Sequence, residues 1–172
     1  MEIQEELTIP ARREEVYRAL NDVNVLKACI PGCEELEWGG ENQLLAKVTL
    51  KIGPVKARFG GKVCLDASQA PGAFSLSGEG DGGIAGFAKG SADVELIEDG
   101  EKTILRYIAK AETGGKLAQL GARLLTSTAK KLSKMFFEAF EKVMNGEMEV
   151  EKASPTLNFL QILGTTYPLI NI

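Results

Sequence analysis

Three cysteines (Cys29, Cys33, Cys64) and four acids (Glu79, Asp81, Asp93, Glu95) are the side chains whose type and spacing invite a chemical reading. Cys29 and Cys33 flank Ile30-Pro31-Gly32 in a C-x-x-x-C arrangement. Zinc needs four ligands, and the chain has no histidine to complete the set. Cys64 lies between Val63 and Leu65 on an alternating stretch, so no metal site is expected and the thiols read as small core or loop groups. Glu79 and Asp81 fall on one side of an extended chain. That is the geometry of an acid–base pair, and equally of a solvated strand end, which is the simpler reading. No serine, cysteine or lysine has a neighbour that would activate it as a nucleophile. The missing histidine removes His-based triads and His general bases as well.

Gly78-Glu79-Gly80-Asp81-Gly82-Gly83 matches G-x-G-x-x-G to the letter. A dinucleotide fingerprint follows a parallel strand and opens a helix, whereas here a strand pattern follows, with Phe87, Val94 and Leu96. Two carboxylates inside the loop would also repel a pyrophosphate. The run reads instead as a turn and strand edge where a helix or a ligand comes close.

The elements that must carry these residues come from periodicity. The chain has 172 residues, 44% of them apolar, and suits one domain plus a tail. Glu2–Ile9 reads as a strand ended by Pro10. Residues 12–20 read as a short helix, and Asn21-Asp22 caps a second one that Pro31-Gly32 stops. Cys33–Trp38 reads as a strand. From Leu44 to Leu65 the period is two, with a hairpin turn at Gly53-Pro54 and one apolar and one basic face. Strands follow over 73–80, 86–98 and 102–113. Gly114-Gly115 then opens a single long helix to Met144, with Leu117, Gly121, Leu124, Leu125, Thr128, Leu132, Met135, Ala139 and Val143 as its apolar stripe. The product is an α+β domain: a bent seven-stranded antiparallel sheet gripping one long C-terminal helix, with two short helices between strands 1 and 2. The domain is expected over 1–146. The tail over 147–172 is weakly apolar, and is too polar and too interrupted by proline to span a bilayer.

Net charge is −4, which argues against nucleic acid as a partner. Basic residues nonetheless cluster without acids at Lys47, Lys51, Lys56, Arg58 and Lys62, and again at Lys116, Arg123, Lys130, Lys131 and Lys134. Phe137 falls among Lys130, Lys134 and Glu141 on the helix's polar side. Lys116, Arg123, Lys130, Lys134 and Phe137 are therefore expected to form a surface for an anionic membrane or an acidic partner, with packing of Phe137 against the tail as the alternative. The N-terminus has no basic and apolar leader, so a cytoplasmic chain with reduced thiols is expected.

The small and flexible groups Gly121, Leu124, Thr128, Met135 and Ala139 are expected to face Phe59, Phe74, Phe87, Tyr107 and Trp38 across a hollow. Small residues opposite large ones leave room for an apolar or amphipathic small molecule.

Four blocks are familiar: residues 26–33 (LKACIPGC), residues 48–59 (VTLKIGPVKARF), residues 76–96 with GEGDGG and GFAKG, and residues 114–121 (GGKLAQLG). Together, over residues 1–146, they resemble the carbon monoxide dehydrogenase G-subunit family, within the START-related, polyketide-cyclase-like superfamily. The resemblance implies a helix-grip fold with an apolar cavity. It also implies an accessory role beside a molybdenum-containing dehydrogenase, which it recruits to the inner face of the cytoplasmic membrane. Longer relatives add a linker and a hydrophobic anchor, which this tail does not match. No catalytic residues carry over. The resulting expectation is a non-enzymatic protein that holds a quinone- or lipid-like ligand. A ligand-free docking module and a cyclase- or hydrolase-type enzyme are the alternatives, the last on fold analogy alone.

Overall fold

Alternation of apolar and polar residues drives seven segments into one sheet. The computed structural model describes residues 1–151, so the expectation for the rest of the tail lies outside the described residues. The strands are β1 (Glu2–Ile9), β2 (Cys33–Trp38), β3 (Gln43–Ile52), β4 (Val55–Asp66), β5 (Ala73–Asp81), β6 (Phe87–Asp99) and β7 (Lys102–Gly114). The helices are α1 (Arg13–Leu20), α2 (Val23–Cys29) and α3 (Ala122–Met144). All pairings are antiparallel, in the order β1-β7-β6-β5-β4-β3-β2. Strands β2 to β7 form a meander, and β1 closes the far edge against β7.

Register decides which side chains share the inner face. Leu65 lies opposite Leu76, Leu76 opposite Ala92, Ala92 opposite Ala109, and Ala109 opposite Ile3. Bulk at the ends of this row and alanine in its middle hollow the floor. The main core closes one end of the molecule with Ile9, Val16, Val25, Leu96, Leu105 and Phe140, all essentially inaccessible. A second, smaller cluster lies toward the β3–β4 turn. There Phe59, Ala85 and Leu117 are packed by Ile52, Val55 and Leu120.

The two short helices sit where the sequence puts them. Asp22 caps α2, its Oδ1 accepting from the Asn24 amide at 2.9 Å and the Val25 amide at 3.5 Å. The turn after α2 is pinned to β3. Thr49 N donates to Gly32 O at 2.9 Å. Gly32 has φ +73°, and a Cβ there would stand 2.0 Å from Thr49 O. Only glycine fits.

The long helix differs from expectation in start and phase. It begins at Ala122, not at Gly114-Gly115. Residues 115–121 are a separate segment containing a single 3-10 turn (Ala118–Leu120), with positive-φ glycines at both ends, Gly115 and Gly121. Leu117 and Leu120 anchor this segment in the second cluster, so they do not set the helix phase. The inward face of α3 is Ala129, Leu132, Ser133, Phe136, Phe137, Phe140 and Val143. Leu132, Ala139 and Val143 of the expected stripe keep inward places, while Ser133, Phe136, Phe137 and Phe140 take the rest of the face in place of Leu124, Leu125, Thr128 and Met135. Met148 and Val150, after the helix, pack against the main core. Among the described residues no helix is long and apolar enough to cross a membrane.

Candidate functional site

Between the sheet's inner face, α2 and α3 lies a cavity of about 440 Å³. That volume is within the range of small-molecule sites. Its floor is Val63, Leu65, Leu76, Ala92 and Ala109, its roof Leu132, Phe136 and Phe137, and one wall Leu26, Ile30 and Pro31. Among the described residues no charged side chain lines it. The cavity exists because β6 and β7 place alanines, not bulky residues, beneath the helix.

Sequence reasoning placed Trp38, Phe74 and Tyr107 at this cavity, and all three line it. The other expected cavity residues do not. Phe59 is buried in the second cluster. Phe87 is 45% exposed on the outer face, its ring over Gly114, because the register of β6 carries it outward. Gly121 precedes α3. Leu124 lies over Gly53 at the β3–β4 turn. Thr128 and Ala139 are half-buried outside the cavity lining, and Met135 is 44% exposed. The phase of α3 accounts for Thr128 and Met135, while Ala139 packs against the main core next to Phe136 and Phe140.

The same phase corrects Phe137. Its ring is half-buried and turned toward the sheet, not set among the lysines. It roofs the cavity and stacks on Tyr107, with ring centroids 5.6 Å apart and planes 24° apart. Phe136 meets it edge-on at 5.0 Å and stacks on Phe140 at 6.0 Å.

Three polar side chains break the apolar wall: Asn21, Tyr107 and Ser133. Asn21 Nδ2 donates to Tyr17 O at 2.8 Å. The Tyr107 hydroxyl donates to Glu5 Oε2 at 2.8 Å. Burial pushes the Tyr107 phenol up to about 12; a hydrogen bond from Ser133 pulls against that shift, and the Glu5 carboxylate adds to it. Glu5 and Ser133 were missed by sequence reasoning. The signal for Glu5 was available, since a charged residue occupies the inward phase of β1 between Ile3 and Leu7.

The cysteines are free thiols. Cys29 is buried on α2, and burial pushes its thiol up to about 11. Cys64 is exposed. The glycine-rich run folds as strand and turn against its own sheet. A Cβ on Gly82 would meet the Phe59 ring at 2.5 Å, and one on Gly86 would meet Gly114 O at 2.1 Å. The close neighbours are thus a strand and an aromatic ring, not the long helix.

The basic faces differ in their pairing. On the sheet, Arg58 bonds Glu34 at 2.8 Å and Lys47 reaches Glu35 at 3.3 Å. On the helix, Lys134 reaches Glu138 at 3.9 Å. Lys116, Arg123 and Lys130 are exposed, as are Lys51 and Lys56 at the β3–β4 turn, and none makes an ion pair among the described residues. Leu117 N donates to Ala85 O at 3.0 Å, which brings Lys116 beside the protruding Ile84, 84% exposed.

A seven-stranded antiparallel sheet wrapped on one long helix, with an apolar cavity between them, is a helix-grip fold of the START type. The chain belongs to the carbon monoxide dehydrogenase G-subunit (CoxG) family, whose model matches residues 6–145. It is similar to a conserved protein from Geobacillus kaustophilus, at 30% identity over 88% of this chain and 99% of that one, with a TM-score of 0.80. Its fold is shared by a START superfamily protein from Mycobacterium smegmatis (14% identity, 86% and 99% covered, TM-score 0.68). The Zhui aromatase/cyclase from Streptomyces sp. R1128 shares it too (13% identity, 84% and 93% covered, TM-score 0.63). No curated protein matches the chain.

Proposed function

We propose that this protein is a non-enzymatic carrier. It holds one apolar or amphipathic small molecule, quinone- or lipid-like, between the sheet and α3, as an accessory to a molybdenum-containing dehydrogenase. The observation that carries the reading is the cavity of about 440 Å³, lined among the described residues by no charged side chain. Such a wall rewards burial of apolar surface, and its polar groups, Asn21, Tyr107 and Ser133, are neutral. Neighbours that are cyclases share the fold alone, and fold does not carry chemistry.

The test is a titration with naphthoquinones and single-chain lipids, following Trp38 emission and the thermal midpoint. Trp38 is the chain's single tryptophan and lines the cavity. A saturable emission change with a rise in midpoint supports the carrier. A flat response to every ligand, with turnover of a polyketide-like substrate, favours the enzyme.

A second observation favours association with an anionic membrane. Lys51, Lys56, Lys116 and Arg123 are exposed and carry positive charge without ion-pair partners among the described residues, and Lys116 stands beside the protruding Ile84. Basic side chains around an exposed apolar tip suit anionic headgroups. Co-sedimentation with phosphatidylglycerol vesicles that weakens with salt and in Ile84→Ser supports this surface. Partitioning that ignores both counts against it.

A further inference from the structure

We infer that residues 115–121 are a hinged strap over the ligand's route, so that cargo enters and leaves the cavity beneath it, at the end of the molecule that carries Lys51, Lys56, Lys116 and Arg123. The inference rests on the carrier reading and assigns that carrier its port. Toward the β3–β4 turn the sheet's inner face loses its side chains. Ala46 lies opposite Gly61, Gly61 opposite Gly80, and Gly80 opposite Ala88. Ala46 is itself a cavity residue, so this bare row continues the cavity floor. A Cβ built at Gly61 or at Gly80 has sheet atoms as its nearest neighbours, at 3.4 Å and 3.9 Å, and no atom of α3 is among them. The helix stands off this row and leaves a trough. The second cluster ends it: Phe59 follows on β4, and Leu117 of the strap, 1% exposed, packs there with Ala85.

The strap is built to move as one piece. A glycine with positive φ stands at each end, Gly115 at +68° and Gly121 at +85°, and Gly121 with ψ 154° occupies backbone space that only glycine enters readily. Inside the strap the backbone bonds are local: Ala118 N donates to Gly115 O, Gln119 N to Lys116 O, and Leu120 N to Leu117 O. Among the described residues a single backbone bond ties residues 116–120 to another part of the chain, Leu117 N to Ala85 O at 3.0 Å. The helix is held elsewhere, by Phe137 on Tyr107 and by Phe136 and Phe140 against the main core. Rotation at the two glycines therefore lifts Leu117 and Leu120 off Phe59 without unwinding α3 or unpairing a strand. In water the exposure of these leucines keeps the strap shut, and against a lipid surface that cost falls away.

Stopped-flow mixing of the full chain with dimethylnaphthoquinone, read through Trp38 emission, tests this. Ile84→Cys with Lys116→Cys, made together with Cys33→Ser and Cys64→Ser, lets a bismaleimide tie the strap to the turn at residues 83–86. The same protein capped with N-ethylmaleimide is the control. A strap over the route changes rates and leaves the equilibrium alone. In the bridged chain, association and dissociation should both slow by about tenfold or more, with the Kd of the control. In Leu117→Ala the latch is weakened, and both rates should rise by about tenfold at constant Kd. A bridged chain that exchanges as fast as its capped control overturns the port and leaves the carrier standing, and it decides alone if Leu117→Ala does not fold. A folded Leu117→Ala chain with wild-type rates overturns the port as well. Failure of the quinone to bind the wild-type chain overturns the port together with the carrier.

Discussion

Phe137 on α3 stacks on Tyr107 of β7, and this one contact ties the helix to the sheet across the roof of the cavity. It fixes the rotation of α3 about its own axis. With Phe137 inward, Lys134 and Glu138 pair on the outer side of the helix, and Met135 is left in solvent.

Phe137→Ala should therefore cost more than a surface change. Loss of a half-buried aromatic and its stacked partner is expected to destabilise the fold by about 2–4 kcal/mol. Urea unfolding measures it. A change within about 0.5 kcal/mol would mean that the ring is not held between helix and sheet.

Much of the fold was legible because period-two alternation is strong here. The expected strand over residues 33–38 matches β2, and the hairpin around Gly53-Pro54 falls in place. The helix was read less well. Leu117 and Gly121 lie in phase with the apolar positions that follow, but they belong to a segment whose apolar residues are claimed by the second cluster. Together with Leu124 and Thr128 they favour a stripe that points toward the second cluster, whereas further along α3 the large apolar residues Phe136, Phe137 and Phe140 turn to the main core. Local periodicity cannot tell which of two cores a leucine enters. Trp38, Phe74 and Tyr107 lie on the inward phase of their strands near the middle of the sheet, whereas Phe87 falls on the outward phase of β6 and Phe59 lies inward but nearer the β3–β4 turn, in the second cluster. Glu5 was visible as a break in the inward phase of β1, and Ser133 only becomes meaningful once α3 is correctly rotated.

The turn after α2 should tolerate no side chain at Gly32. Gly32→Ala combines a positive φ with a Cβ 2.0 Å from Thr49 O. The expected cost is at least about 1–3 kcal/mol, with Ile30 and Pro31 displaced from the cavity wall. Thermal unfolding and hydrophobic-probe binding measure the two effects. A variant with wild-type midpoint and binding would contradict the pinned turn.

Asp22→Ala removes the cap of α2, and the expected loss is about 1–2 kcal/mol. Because α2 supplies Leu26 to the wall, ligand affinity should fall with it. Chemical denaturation with and without ligand separates the two.

Alkaline pH should weaken the fold. Tyr107 is raised from an ordinary 10.0 to about 12, and Cys29 from 9.0 to about 11. Both groups are neutral when protonated, and their folded values exceed the unfolded ones. Their contribution is thus complete below about pH 9 and is lost as pH rises toward 12. The same burial makes Cys29 slow toward thiol reagents at pH 8, where exposed Cys64 reacts readily. Denaturant midpoints against pH, and thiol counting on the native chain, check both statements. Flat stability to pH 12, or equal thiol rates, would contradict the burial of these groups.

Native mass spectrometry of the intact chain, beside Ala92→Phe, tests the central claim most directly. Ala92 is a floor residue of the cavity, and a phenyl ring there fills the space beneath α3. A carrier retains one hydrophobic molecule per wild-type chain, either co-purified or added as naphthol. The folded variant should retain none, with a thermal midpoint equal to or higher than that of the original. A wild-type chain that stays bare in every preparation, or a filled variant that binds as well as the original, would contradict the carrier.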